Sequence, residues 1–395
     1  MKNIESIVES YANQIFDEIN TIRKHLHMHP ELSFEEHETS KYLKNKLESW
    51  GISIDATWVK TGFTVLIDSG KPGKTIGVRA DLDALPIVEK NDVEYKSKTD
   101  GIMHACGHDV HSACLMGVAQ TLHNHKDLWR GKALLIFQAG EEKLPGGASL
   151  MIKEGLLDKY NPEVILAQHV YPEMETGKCG FKAGMYMASA DEIYLTVKGK
   201  GGHAALPHTN IDSIVIASNI IVALQQVSSR IAPPTIPTIL SFGKIQGLGA
   251  TNVIPDVVEI EGTLRTMNEK WRAIYHQKIN QIATSTAEAF GAKCIVDIRK
   301  GYPFLVNDPV LTDKSVEFAK EYLGQENIEE LPLRMTAEDF SYFSQKAPTC
   351  FYRLGVGNKK KGIIHSVHNP QFDIDENSLK IGVGLMSNLI IKHSI

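Results

Sequence analysis

The 395-residue sequence lacks several features that mark common classes of protein. Its five cysteines are too few for a disulfide-rich secreted scaffold, so we expect a reducing compartment. The formal net charge is -5 and no long basic run is present, which disfavours a nucleic-acid partner. Polar residues interrupt the longest apolar stretch, 214–227, which we expect to be too short and too polar to span a membrane. Residues 1–6 show no signal-peptide core, which favours the cytoplasm.

The length and the apolar pattern predict two domains, one of them inserted into the other. Single hydrophobic cores stop growing near roughly 250–300 residues, and this chain is longer. Predicted strands at 75–79, 133–137 and 164–167 alternate with predicted helices at 109–122 and 147–153. This alternation is typical of an α/β domain with a mixed, mostly parallel sheet. Two N-terminal helices are predicted before it, at 3–28 and 38–50.

After residue 186 the predicted order becomes β-α-β-β-α-β, which is typical of a ferredoxin-like α+β fold. The segments are 191–198, 212–228, 238–246, 257–266, 269–289 and 294–299. We therefore predict a catalytic domain in two parts, 1–185 and 300–395, with a ferredoxin-like domain inserted at 186–299.

Polar side chains with metal-binding chemistry follow the predicted parallel strands. They are Asp81, Asp83, Glu141, Glu142 and His169. In open α/β sheets, ligands bind outside the carboxyl ends of the strands, so we expect these residues at one edge. One glutamate of the neighbouring pair can bind metal while the other, facing the opposite way, acts as general base. His169 is a further candidate ligand, and we expect the two aspartates to orient a histidine ligand.

The segment His104–His111 carries three histidines and a cysteine at the start of a predicted helix. Cys106 and His108 are two residues apart, so in extended backbone their side chains point to the same side and can hold one ion. We expect the helix to help keep Cys106 as a thiolate, the form that binds metal. No second cysteine pair completes a structural zinc site. Cys106 and His108 are therefore predicted as ligands, and His104 and His111 only as supports of the loop.

The C-terminal part offers one more ligand, from either His365 or His368. The candidates then number five, one too many for a tetrahedral ion that keeps an open position. Such a set suits two divalent ions about 3.5–4 Å apart that share a bridging water, whose proton Glu141 would take. A cysteine ligand favours softer or borderline ions over magnesium or calcium, and the candidate ions are zinc, manganese, cobalt and nickel.

Nine motifs run nearly end to end along the chain. They span residues 27–33, 79–86, 104–111, 140–142, 199–208, 251–256, 262–265, 337–340 and 367–370. With them the chain resembles the dinuclear-metal aminoacylase/carboxypeptidase family, in the branch of N-acyl-amino-acid amidohydrolases, hippurate hydrolases and auxin-conjugate hydrolases. Gly140 departs from that pattern, because many members of the branch have alanine there, so the acyl preference is not transferred.

The resemblance implies a ligand set and several further roles. The implied metal ligands are Cys106, His108, Glu142, His169 and His368. Glu141 matches the general base, and His203 matches a residue that helps to stabilise the oxyanion, often in the partner subunit's site. Asn252 and Arg265 match positions that hold a substrate carboxylate, a task that suits the guanidinium group of an arginine. The inserted domain resembles the family's dimerisation or lid domain.

These inferences predict a metal-dependent hydrolase of N-acyl-L-amino acids that acts as a homodimer, without a nucleic-acid or membrane partner. A metallocarboxypeptidase or dipeptidase acting on short peptides is the close alternative. A metal-free thiol hydrolase built on Cys106 and His108 would leave Glu142, His169 and His368 without roles. A non-enzymatic metal- or peptide-binding protein is the remaining class.

Overall fold

A computed structural model describes residues 4–395. Residues 1–3, which include the predicted start of the first helix and half of the N-terminal segment considered above, lie outside it. The α-helices of the described chain are α1 (Ile4–Gln14), α2 (Phe16–Met28), α3 (His37–Ser49), α4 (His108–Asn124), α5 (Gly147–Lys153), α6 (Leu156–Tyr160), α7 (Ser213–Leu224), α8 (Glu269–Ala289), α9 (Pro309–Leu323), α10 (Ser341–Ser344) and α11 (Ser378–Ser394).

The described chain also contains sixteen β-strands. They are β1 (Ala56–Trp58), β2 (Gly62–Asp68), β3 (Thr75–Asp81), β4 (Lys132–Gln138), β5 (Val164–Glu175), β6 (Cys179–Phe181), β7 (Gly184–Met187), β8 (Asp191–Lys198), β9 (Gly202–His203), β10 (Thr238–Gln246), β11 (Val253–Ile254), β12 (Val257–Thr266), β13 (Lys293–Lys300), β14 (Leu305–Asn307), β15 (Ile328–Glu330) and β16 (Thr349–Gly357).

The chain divides into two compact units, each with its own hydrophobic core. The first comprises residues up to 184, 306–332 and 342–395, and the second comprises 185–305 and 333–341. Residues 333–341, predicted within the second part of the catalytic domain, thus belong to the other unit. The reason is backbone pairing, because Arg334 bridges to Met187 and its amide donates to the Tyr186 carbonyl.

The first unit is built on a mixed, mostly parallel sheet, as predicted. Its strand order within residues 4–395 is β1-β2-β4-β3-β5-β16-β6-β15. The central strands β4, β3, β5 and β16 are parallel to one another, whereas the pairs β1–β2, β2–β4 and β16–β6 are antiparallel. The carboxyl ends of the parallel strands therefore meet along one edge, where a site can form.

Helices α4 and α11 pack closely inside the first unit, and both are buried along most of their length. A Cβ added at Gly117 of α4 would lie 2.5 Å from Val383 of α11, so glycine sets this approach. The Ser112 hydroxyl of α4 donates to the Asp81 carbonyl at the end of β3. These contacts fix the start of α4 relative to the edge of the sheet.

The predicted helix at 3–28 is interrupted and forms α1 and α2. Ile15 lies between them with φ -90° and ψ 1°, outside the helical region. Its amide still donates to the Tyr11 carbonyl, and its own carbonyl accepts from the Ile19 amide. The interruption is therefore a bend that keeps the hydrogen bonds, and the pattern of apolar residues does not reveal it.

The second unit contains an antiparallel sheet of strand order β10-β12-β8-β13. Helices α7 and α8 pack against each other and against this sheet. Buried Arg272 joins helix and sheet, because its guanidinium group bonds the buried carboxylate of Asp191, which also accepts from His276 at 2.6 Å. The order along the chain is the β-α-β-β-α-β order predicted for residues 191–299.

Helix α7 continues through a π-helical turn, Val227–Ile231, so the helical run is longer than the sequence predicted. Residues 213–231 are long and apolar enough to cross a membrane by length and composition alone, contrary to the expectation above. A core helix of a soluble protein can have the same length and composition. Ile216, Ile220 and Leu224 pack in the core of the second unit. Only 28% of the most apolar part is buried within the chain.

Candidate metal centre

The five predicted ligand side chains gather at the edge of the sheet in the first unit. Sγ of Cys106 and the rings of His108 and His169 offer ligand atoms that lie within 4.8 Å of one another. The ligand atoms of Cys106, Glu142 and His368 also lie within 4.8 Å of one another. His365, the other C-terminal candidate, belongs to none of the groups found among residues 4–395.

Cys106 and His108 approach each other through a turn and not through extended backbone as expected. Gly107 between them has φ +82°, and His108 is the first residue of α4. A Cβ on Gly107 would lie 2.6 Å from the side chain of Val170, so glycine is needed both for the conformation and for the space. The turn aims the thiol and the imidazole at the same point.

Glu141 and Glu142 lie in a bend after β4, and their side chains do not face opposite ways. Oε2 of Glu141 is 4.0 Å and Oε1 of Glu142 is 3.9 Å from Nε2 of His108. The expectation from strand alternation is thus wrong at this pair, because the strand ends at Gln138. Both carboxylates reach the cluster.

His169 and His368 complete the cluster from two other segments. His169 lies inside β5, which continues to Glu175 beyond the predicted strand end, and its Nε2 is 3.4 Å from Sγ of Cys106. His368 has φ +64°, its amide donates to the Ala105 carbonyl, and its Nε2 is 3.2 Å from Oε1 of Glu142. The C-terminal loop is therefore fixed directly on the cysteine turn.

The rings of His108 and His169 both direct Nε2 into the cluster. Nδ1 of His108 lies 3.2 Å from Asp83, and Nδ1 of His169 lies 2.8 Å from the Val170 carbonyl. A proton on Nδ1 satisfies each acceptor and leaves the Nε2 lone pair for an ion. Asp83 thus stands where an aspartate that orients a ligand was expected.

His111 has a different role that the sequence only hinted at. Its Nδ1 lies 2.6 Å from Oδ1 of Asp81, and its Nε2 accepts from the Val170 amide at 2.9 Å. An imidazole that donates at one nitrogen and accepts at the other is neutral. Burial lowers the pKa of His111, which agrees with that state. His111 therefore joins the end of β3 to the residue after His169.

Opposing charges set the protonation of the cluster when no ion is bound. Burial lowers the pKa of His108, but Asp81 and the Cys106 sulfur outweigh it and raise that pKa well above its usual value. Hydrogen bonds to Cys106 and Glu142 raise the pKa of His368 to about 10. Burial, with the Glu142 charge, raises the pKa of the Cys106 thiol. The predicted thiolate therefore requires an ion, since the helix alone does not supply it.

The donor set fits divalent metal ions. Nε2 of His108 is buried without a hydrogen-bond partner among residues 4–395, although carboxylate oxygens of Asp81, Glu141 and Glu142 lie 3.6–4.0 Å away. An unpartnered buried nitrogen that faces three acidic oxygens fits the position of a ligand to a divalent cation. Sulfur, imidazole and carboxylate together suit borderline ions such as zinc.

His104, predicted only as a support of the loop, belongs to none of the ligand groups found among residues 4–395. It is fully buried and burial lowers its pKa to about 4, so its ring is neutral near pH 7. Within the described chain neither of its ring nitrogens has a hydrogen-bond partner.

The three other predicted site residues belong to the second unit. His203 pairs with Val253 in the β9–β11 ribbon, and the Asn252 carbonyl accepts from the Ala204 amide, so His203 and Asn252 lie near each other. Nδ1 of His203 accepts from the Ala205 amide at 3.1 Å, which places the proton of the neutral ring on Nε2. Arg265 is half-buried near the end of β12, opposite Ile239.

The chain is similar to known proteins along most of its length. Residues 77–392 match peptidase family M20/M25/M40. The chain is 40% identical over 358 residues to the N-acetyl-L-cysteine deacetylase of Bacillus subtilis, covering 91% of this chain and 84% of that protein. It is 38% identical to thermostable carboxypeptidase 2 of Saccharolobus solfataricus, covering 98% of this chain and 99% of that one.

A solved structure shares the fold as well. It is a dinuclear metal-binding peptidase of the M20 family from Bacillus subtilis, with TM-score 0.83 and 31% identity over 96% of this chain and 98% of that chain. Family match, relatives and fold all lead to the assignment that the motifs predicted. The chain belongs to peptidase family M20/M25/M40 and is a metal-dependent amidohydrolase.

Proposed function

We propose that this enzyme hydrolyses the amide bond of N-acyl-L-amino acids, releasing a carboxylic acid and a free amino acid. The observation that carries the proposal is the cluster of sulfur, imidazole and carboxylate ligand atoms with Glu141 beside it. The deacetylase relative, 40% identical to this chain, supports an acylated amino acid as the substrate class.

We assign the ligands of two divalent ions to the gathered side chains. They are Cys106, His108, Glu142, His169 and His368. Bound divalent ions lower the pKa of a coordinated water and polarise a carbonyl. Zinc, manganese, cobalt and nickel all suit the donor set.

Glu141 acts as the general base in this proposal. Its side chain is 6% exposed, and its carboxylate lies 4.0 Å from Nε2 of His108 without being needed as a ligand. A carboxylate in that place can take a proton from water and pass it to the leaving amine. The bend after β4 supplies both the base and its neighbouring ligand.

The second unit contributes substrate recognition in this proposal. His203 donates a hydrogen bond from Nε2 to the developing oxyanion, a role compatible with its Nδ1 acting as an acceptor. Asn252 and Arg265 bind the free carboxylate of the amino acid. Burial lowers the pKa of Arg265, but a guanidinium group remains charged near pH 7.

A peptidase is the second candidate. The carboxypeptidase relative, which matches nearly the whole chain at 38% identity, favours it. A carboxypeptidase and an aminoacylase both need a free carboxylate beside the cleaved amide, so Arg265 serves either reaction.

We further propose that the enzyme is a cytoplasmic homodimer in which the second unit supplies the interface. Helix α7 exposes Val215 and Val222, the latter 72% exposed, and the neighbouring apolar residues make an unusually nonpolar surface. Strand β10 is an edge of its sheet within the described chain, with Ile245 exposed. An apolar face beside an open strand edge suits a second copy of the same chain.

One panel tests the reaction. Purified enzyme is stripped with a chelator, reloaded separately with zinc, manganese or cobalt, and assayed on N-acetyl-amino acids, N-benzoyl-amino acids and dipeptides. The proposal predicts metal-restored turnover with the acyl-amino acids above that with dipeptides. Faster cleavage of dipeptides would favour the peptidase, and full activity after exhaustive chelation would overturn both.

A further inference from the structure

Glu36 is a buried carboxylate that the proposed chemistry does not use. Its side chain is fully buried, and all its contacts are short. Oε1 accepts from the Gly140 amide at 2.7 Å and from the Phe34 amide at 2.9 Å. Oε2 accepts from the Thr61 hydroxyl at 2.6 Å. Three donors therefore converge on one side chain that has no access to water.

The Gly140 contact matters because Gly140 directly precedes the proposed base. Gly140 has φ +60° and packs against the ring of Phe34, which itself has φ +70°. A Cβ on Gly140 would overlap that ring, so the two residues fit only in this arrangement. A non-glycine residue such as Phe34 keeps a positive φ only when its surroundings hold it there. Here the Glu36 carboxylate accepts a hydrogen bond from the Phe34 amide.

The amide on the other side of the base is held by Asp83, a residue that the segment around Glu36 contacts. The Glu142 amide donates to Oδ2 of Asp83 at 2.9 Å, and the Ser33 hydroxyl donates to the same oxygen at 2.6 Å. Ser33 and Glu36 are three residues apart, so this short segment binds the Gly140 amide directly and contacts the Glu142 amide only through Asp83. Support of this kind sets the position of a reactive side chain.

We propose that Glu36 is a positioning residue that sets the direction of Glu141 and Glu142 through the Gly140 amide. The expected effect on kcat and KM rests on the proposed function, whereas the expected effect on zinc affinity does not. Removing the carboxylate leaves the Phe34, Gly140 and Thr61 donors unpaired in a buried place, and the bend after β4 relaxes. Residues that support a metal ligand typically contribute about 10–100-fold to metal affinity or activity.

Three variants separate positioning from simple destabilisation. Glu36→Ala removes every acceptor. Glu36→Gln keeps Oε1 for the two amides, and its amide group faces a Thr61 hydroxyl that can turn to accept. Thr61→Val removes only the third contact and serves as the matched control. Glu36→Asp, whose shorter side chain withdraws the acceptor from Gly140, replaces Glu36→Ala if that protein does not fold.

The experiment is calorimetric titration of the metal-free proteins with zinc, followed by kcat and KM per metal-loaded enzyme. We expect Glu36→Ala to bind zinc about 10–100-fold more weakly and to lose kcat more than KM. Glu36→Gln should recover most of both losses, and Thr61→Val should resemble the wild type. Wild-type zinc affinity in Glu36→Ala, or equal losses in Glu36→Ala and Thr61→Val, would overturn the inference. The zinc titration decides it even if the wild type cleaves no acyl-amino acid.

Discussion

At Cys106, burial and the Glu142 carboxylate both act against the thiolate. They raise the pKa of the thiol, so only an ion that displaces the proton makes this sulfur a strong ligand. A nucleophilic role without metal would need the opposite environment, with a lowered pKa and open access. The side chain is 7% exposed. The residue suits metal binding better than thiol chemistry.

Replacing this sulfur tests its assignment. Cys106→Ser should weaken zinc binding at least tenfold, because a hydroxyl is a poorer ligand for a borderline ion than a thiolate. Cys114→Ser is the matched control, since Cys114 is also buried, its Sγ contacts the Leu379 carbonyl, and it belongs to none of the ligand groups found among residues 4–395. Zinc titration of both proteins measures the difference. Equal affinities would remove Cys106 from the ligand set.

Side-chain chemistry was the most predictable part of the site. Sulfur, imidazole and carboxylate groups could be recognised from residue type and from their places after strands. The role of His111 could not be predicted, because its tautomer depends on a hydrogen bond from the Val170 amide in β5, which is distant in the sequence. The contact between Glu36 and Gly140 could not be predicted for the same reason, since only folding brings these segments together.

At the scale of elements, the turn that carries Cys106 depends on glycine in two ways. Gly107→Ala should weaken metal binding and lower stability, because positive φ costs about 1–3 kcal/mol and overlap with Val170 adds to it. Gly101→Ala is the control, since Gly101 also has positive φ but a Cβ there meets nothing within 4 Å. Chemical unfolding and zinc titration compare the two. Equal effects would mean that the space beside Val170 is unimportant.

The ion pair that joins α8 to the second unit's sheet gives a pH prediction. Burial raises the pKa of Asp191, but hydrogen bonds from Arg272 and His276 outweigh it and lower that pKa below its usual value. The unfolded chain thus binds this proton more readily than the folded one. The stability from Asp191 is present above the unfolded pKa and is lost as pH falls through the lower folded pKa.

Asp191→Asn removes that contribution. We expect a loss of about 3–5 kcal/mol at neutral pH, because the Arg272 charge stays buried with its main partner gone. The variant should also lose less stability than the wild type between about pH 4 and the pH where Asp191 protonates in the folded protein. Urea unfolding at several pH values measures both. Parallel stability profiles for the two proteins would contradict the role of Asp191.

Element boundaries were less predictable than element types. Strand β5 extends past His169 because parallel pairing with β16 continues beyond it, and no residue in that stretch signals the continuation. The turn at Gly107 depends on the close approach of Val170, and the pattern of apolar residues does not signal the bend at Ile15. Local pattern identified the elements, and tertiary contacts set their ends.

At the scale of the whole molecule, nine motifs spread along the chain were enough to identify the family. The boundaries of the two units were harder to predict from the sequence, because residues 333–341 join the second unit through pairing with Met187. Pairing between segments so far apart leaves no periodic signal. The homodimer stays a prediction, which the sequence supports through the family resemblance and the apolar segment 212–228.

The dimer proposal predicts the effect of a charge on the exposed face of α7. Val222→Lys should convert most of the dimer to monomer, since a buried ammonium group without a partner disfavours association. Val310→Lys, at a 66% exposed position in α9, should leave the assembly unchanged. Light scattering after size-exclusion chromatography measures both masses. A wild-type monomer at working concentration, or an unchanged dimer in Val222→Lys, would contradict this interface.

We propose above that Glu141 moves the proton in a metal-dependent hydrolysis. The most direct test is kcat of Glu141→Gln on an N-acyl-amino acid that the wild type cleaves, with metal content measured in the same samples. Glutamine keeps the size of the side chain but cannot take the proton, so kcat should fall about 10²–10⁴-fold at unchanged metal content. Wild-type turnover by the fully loaded variant would contradict the claim.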